Sequence, residues 1–170
     1  MRSPPWRVPQ TDPLEERRGR VYRQLRELGD DALPALARGL ADPDVQVRRN
    51  VALFLYLVAN GRYAATEPAL DIQSTLPALI AALKDGDTRV RGAVAQAIGE
   101  IGPKAAPAVP ALVALLADPD EGPRSAAAIG LRGIGPSARG ALPALRNALA
   151  DPSADVRGFA QRAIDRIEAR

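Results

Sequence analysis

Five stretches of this chain set acids and an arginine at the spacing of a phosphate or metal site. DPDVQVR (42–48) places two carboxylates and a guanidinium within seven residues. DGDTRVR (85–91), DPDEGPR (118–124) and DPSADVR (151–157) repeat it, and DPLEERR (12–18) is a weaker copy. Asp12, Asp42, Asp85, Asp118 and Asp151 each stand six residues before an arginine. Such carboxylates could hold a divalent cation, and the guanidinium could hold a phosphate. A reaction centre, however, is needed once, whereas a joint between stacked units is needed in every unit. The recurrence therefore points to architecture.

The elements that carry these stretches recur with them. The proline of LPAL returns as Pro34, Pro77, Pro110 and Pro143, so the unit is 33 residues long, with ten extra residues between the first and second full copies. The extra segment falls in NGRYAATEPALDIQ (60–73). Each copy predicts two helices. The first is LPALARGLAD, LPALIAALKD, VPALVALLAD or LPALRNALAD, with its proline in the first turn or kinking a helix begun earlier, as in PKAAPAVPAL. The DP or DG pair ends it, and Asp44, Asp87, Asp120 and Ser153 stand where the N-cap of the second helix belongs. The second helix is expected to bury Val47, Val51, Leu55 and Val58 in the first full unit, Val90, Val94, Ile98 and Ile101 in the next, and Val156, Ala160, Ile164 and Ile167 in the last. Gly102 and Gly135, each followed by proline, end two of these helices. Residues 12–29 match a second helix alone. The expectation is an all-α superhelix of one half-unit plus four two-helix repeats over residues 12–170, behind a Pro-rich arm at residues 1–11.

Composition agrees. The chain is 46% hydrophobic but only 4% aromatic, which favours close helix packing over a β-sandwich. No apolar run approaches the roughly 20 residues of a membrane span, MRSPPWRVPQ lacks the apolar core of a signal peptide, and cysteine is absent. A cytoplasmic location is expected. Residues 1–29 hold seven arginines against four acids and so account for the whole net charge of +3. Only Lys84 and Lys104 of the 23 basic residues are lysine.

The P-A-L first helix, the D-P/G-D turn, the V-R opening of the second helix and the AIGEIG ending (97–102) resemble the HEAT repeat family, especially its short bacterial form found in phycobilisome lyase subunits. Pro123 departs from the pattern, where the other full units have valine. The resemblance implies an α-solenoid in which turn aspartates and helix arginines ladder between adjacent repeats. It also implies that the second helices line a concave face where a partner lies.

Catalysis is not expected. Without histidine there is no His-containing zinc site, no Ser-His-Asp or Cys-His system, and none of the His–Glu pairs of the iron-binding HEAT-repeat hydroxylases. No phosphate-cradling glycine loop appears, and Glu15–Glu16 and Asp30–Asp31 look like helix-start residues. No cofactor or metal is implied.

Subtracting the buried positions leaves a candidate partner-binding row on the second helices: Arg23 and Arg26; Arg49, Leu53, Tyr56 and Leu57; Gln96; Ile129 and Arg132; Arg162 and Arg166. The small residues Gly92, Gly99, Ser125, Gly133 and Gly158 would leave an open groove for a helix or extended peptide. VALFLYLVA (51–59) is apolar all around, so either the insert or a partner must cover Leu53, Tyr56 and Leu57. In the arm, Trp6 beside Arg7 either caps the end of the first helix or anchors a partner. Gln161, Arg162, Asp165, Arg166 and Glu168 give the last helix a polar outer side. The function expected is that of a protein-binding scaffold or assembly subunit. A nucleic-acid binder, akin to HEAT-like DNA glycosylases, and a chromophore-lyase-like subunit are the alternatives.

Overall fold

The computed structural model describes residues 31–61 and 71–169. The arm with Trp6 and Arg7, the half-unit with Arg23 and Arg26, the Asp12/Arg18 copy of the motif and most of the insert lie outside these residues. All regular structure among the described residues is helical. In chain order the helices are α1 (Ala32–Gly39), α2 (Val45–Ala59), α3 (Leu76–Ala82), α4 (Thr88–Ile101), α5 (Val109–Leu115), α6 (Glu121–Ile134), α7 (Leu142–Ala148) and α8 (Ala154–Glu168). Short and long helices alternate as the repeat predicts.

In α1, Pro34 is the third residue; α3, α5 and α7 each begin one residue before the proline, which sits in the first turn where its missing N–H costs nothing. What precedes it is a tight 3-10 segment: Ile72–Thr75, Gly102–Ala108 or Gly135–Ala141. Gly102 (φ 72°) and Gly135 (φ 67°) end the long helices in a backbone region that a side chain would strain. The long helices start at capped turns. Asp44 accepts from the Gln46 N–H at 2.8 Å, Asp87 from Arg89 and Val90 at 3.1 and 3.2 Å, and Ser153 Oγ from Val156 at 3.4 Å. Asp120 does not cap α6. The third helical position there is Pro123, which has no N–H to give, and the carboxylate turns to Arg91 instead.

The long helices pack side by side, α2 on α4, α4 on α6, α6 on α8, and each short helix packs on the long helix that follows it. One continuous core runs from Leu33 to Ile167. Val90, Val94 and Ile98 are fully buried, as are Val156, Ala160 and Ile167; Ile164 is nearly so and Ile101 half-buried. The expectation fails at Val47, which is exposed, and Val51 is only half-buried; Ala52, Leu55 and Val58 form the buried stripe of α2. The counterpart Val156 is buried on α8, which packs on α6 of the unit before. For Val47 the described residues supply no long helix before α2.

Candidate partner-binding face

The acid–arginine motif resolves into a ladder. Arg48 Nε donates to Asp85 at 2.6 Å, Arg91 Nε to Asp118 at 2.7 Å and Arg124 Nε to Asp151 at 2.8 Å, each with a second bond from Nη2 to the other carboxylate oxygen. These bidentate forks join each long helix to the turn of the next repeat. The same guanidiniums reach back through Nη1 to the carbonyls of Asp42, Asp85 and Asp118, and Arg157 does so to Asp151. Each aspartate also accepts the N–H two residues on, at Asp44, Asp87, Asp120 and Ser153. An arginine near a helix N-terminus opposes the macrodipole; here the neighbouring carboxylate answers it. The motif is consumed by the joints.

The electrostatics follow. The bond from Arg124 holds the Asp151 carboxyl below its ordinary range. Burial alone would push Asp118 up, but the Arg91 guanidinium and the Asp120 N–H outweigh it and leave the group lowered. The paired carboxylates raise Arg48, Arg91 and Arg124 in turn.

Two residues of the predicted row belong to these joints as well. Arg49 is half-buried and forms an ion pair with Asp87, whose carboxyl it holds down at about 2. It is not a free rim residue. Tyr56 is half-buried and packs against the core, so it does not face away from it. The glycines also differ from expectation. A Cβ on Gly133 would lie 2.3 Å from the Gly99 carbonyl oxygen, and one on Gly130 would lie 2.6 Å from that of Ala95. Gly99, Gly130 and Gly133 are the contact surface of α4 and α6, not a groove. Gly92 does border open space.

What remains on the outward side of the long helices is shorter and more polarised than the sequence suggested. Leu53 and Leu57 of α2, Gln96 of α4 and Ile129 of α6 are half-buried, and among the described residues the three aliphatic ones do not pack on the core. Arg132, Arg162 and Arg166 are exposed. Arg162 lies 4.7 Å over the Phe159 ring and bonds to the Gly158 carbonyl at 3.1 Å. Neither Arg132 nor Arg166 has a hydrogen-bond or ion-pair partner among the described residues.

On the short-helix side, grooves of about 460 Å³ between α1 and α3 and about 280 Å³ between α5 and α7 are walled largely by alanines. The only arginine lining the larger one, Arg48, is already bonded to Asp85. Among the described residues no group of three acids could hold a metal ion, and no helix is long and apolar enough to cross a membrane.

A family model described as HEAT repeats matches residues 60–132. Solved structures superpose over most of the chain. One engineered protein of the Northeast Structural Genomics Consortium has a TM-score of 0.62 and 24% identity, covering 81% of this chain and 62% of its own. A second has a TM-score of 0.66 and 24% identity, covering 89% and 74%. A designed armadillo repeat protein, solved in complex with the peptide (KR)4, has a TM-score of 0.50 and 17% identity over 95% of both chains. The chain thus spans less than two thirds of the first of these. No curated protein matches it.

Proposed function

We propose that this chain, a HEAT-type solenoid whose residues 60–132 match the HEAT-repeat model, is a non-catalytic scaffold or assembly subunit, which takes a helix or extended peptide of another protein along the outward side of α2, α4, α6 and α8. The cytoplasm is the proposed setting, consistent with a chain without cysteine. One observation carries the reading: Leu53, Leu57 and Ile129 stay partly exposed and outside the packed core of the described residues, while Arg48, Arg91 and Arg124 are used in joints. Large aliphatic side chains left along one face are what a partner desolvates. The designed armadillo protein that holds a peptide supports the mode by analogy.

Nucleic acid is the second reading, favoured by Arg132, Arg162 and Arg166. Against it, the aromatic rings among the described residues are engaged: Phe54 and Tyr56 pack on the core, and Arg162 covers Phe159.

The test is selection of peptides from a random 12-residue library on the immobilised full chain. Joint replacement of Leu53 and Leu57 by alanine should weaken the recovered peptides by about 2–4 kcal/mol, the range of a hot-spot pair. The melting temperature should barely move, because neither side chain is part of the core. Recovery of no peptide, or peptides indifferent to this change, would overturn the reading.

A further inference from the structure

The outward face is not uniform along its length, and the close helix contacts show why. Gly99 of α4 meets Gly133 of α6 backbone to backbone. One repeat of 33 residues later, the same two registers hold Arg132 of α6 and Arg166 of α8, and α6 and α8 pack side by side. Two cations therefore share a joint that is closed by bare backbone one repeat earlier. Arg166 Nε lies 3.8 Å from where a Cβ on Gly135 would stand, which puts it at the end of α6, in whose last turn Arg132 sits. Arg162 lies one turn before Arg166 on the same side of α8 and is held there by Phe159 and the Gly158 carbonyl.

Like charges brought together in this way repel, whereas at the joints between the described repeats Arg48, Arg49, Arg91 and Arg124 each hold an aspartate. Asp165, next to Arg166 in the chain, accepts from Gln161. At the other end of the described part of the face, α2 offers Leu53 and Leu57 beside Gln46 and Asn50, and no charged residue of α2 is exposed. Resting on the peptide-binding reading above, we infer that the partner segment is itself polarised: an apolar end seats on Leu53 and Leu57, and an acidic end brings carboxylates between Arg132, Arg162 and Arg166. The designed armadillo repeat protein above was solved with a basic peptide, (KR)4; the segment inferred here carries the opposite charge. A carboxylate between Arg132 and Arg166 would replace repulsion by two charge-assisted bonds, and it would do so where the helix faces are already fixed.

The charge of the peptides recovered in the library selection decides it. The expected peptides carry two or more Asp or Glu residues to one side of a pair of large aliphatic residues. The Arg132→Glu, Arg162→Glu, Arg166→Glu triple variant should lose them by about tenfold or more and select basic peptides instead. Arg132→Gln with Arg166→Gln should weaken the original peptides without reversing the preference, with melting temperatures followed throughout. Peptides that depend on Leu53 and Leu57 but carry no acidic bias would overturn this inference and leave the general reading standing. Recovery of no peptide would overturn both. Tighter retention of a single-stranded oligonucleotide than of any peptide, abolished by the triple variant, would assign the arginines to phosphate.

Discussion

At the scale of single residues, the acid–arginine motif distinguishes chemistry from construction by what its atoms are already doing. Arg91 is the fullest case: its side chain is 11% exposed, it forks onto Asp118, reaches Asp120 at 3.1 Å and ties back to the Asp85 carbonyl at 2.9 Å. Four of its five N–H donors are engaged in the joint. Arg91→Ala should lower stability by about 1–3 kcal/mol, because Asp118 would stay largely buried without its cation; urea unfolding measures it. The same joints set an acid limit. Asp87, Asp118 and Asp151 have folded pKa values below the ordinary carboxylate value, Asp87 at about 2. The unfolded chain therefore binds protons first as pH falls. Their contribution is complete above about pH 4 and is lost from there down toward about pH 2. Urea midpoints should hold steady between pH 7 and 5 and fall below 4, and Asp87→Asn should flatten that fall. A midpoint that declines mainly between pH 7 and 5 would contradict this account.

At the scale of elements, helix pairs were legible because prolines, turn aspartates and arginines recur at fixed spacing, and each marks a boundary or joint with a stated physical role. Contacts peculiar to one joint were not legible. Arg49 finds Asp87, but its counterparts Gly92, Ser125 and Gly158 find no such partner, so repetition could not reveal the pair. Glycine was ambiguous in the same way: on a long helix it can open a groove or let two backbones touch, and only the packing of α4 on α6 decides. Gly133→Ala tests that packing. Its Cβ would meet the Gly99 backbone, which cannot turn aside as a side chain can, so a loss of about 1–3 kcal/mol is expected. Gly92→Ala, which borders open space, should be neutral or slightly stabilising through helix propensity. Equal melting temperatures for the two variants would contradict the packing.

At the scale of the whole molecule, the repeat joints and the outward face divide the labour. The ladder fixes how one repeat sits on the next, and the registers it leaves free change from aliphatic on α2 to cationic on α6 and α8. The side of α8 turned away from α6 is polar, with Gln161, Asp165 and Glu168 exposed and Glu168 bonded to Arg146 at 2.7 Å. At the register of Gln161, α4 and α6 carry the buried Ala95 and Ala128. Stability is then shared among neighbouring interfaces, as in other stacked repeats, while the proposed recognition falls to side chains that no interface uses. The most direct test measures the Arg91→Ala variant twice, for its urea midpoint and for the affinity of its folded fraction toward a library-selected peptide. The account predicts a lowered midpoint and an unchanged affinity. A wild-type midpoint with peptide binding lost would place the acid–arginine motif in the binding site and contradict it.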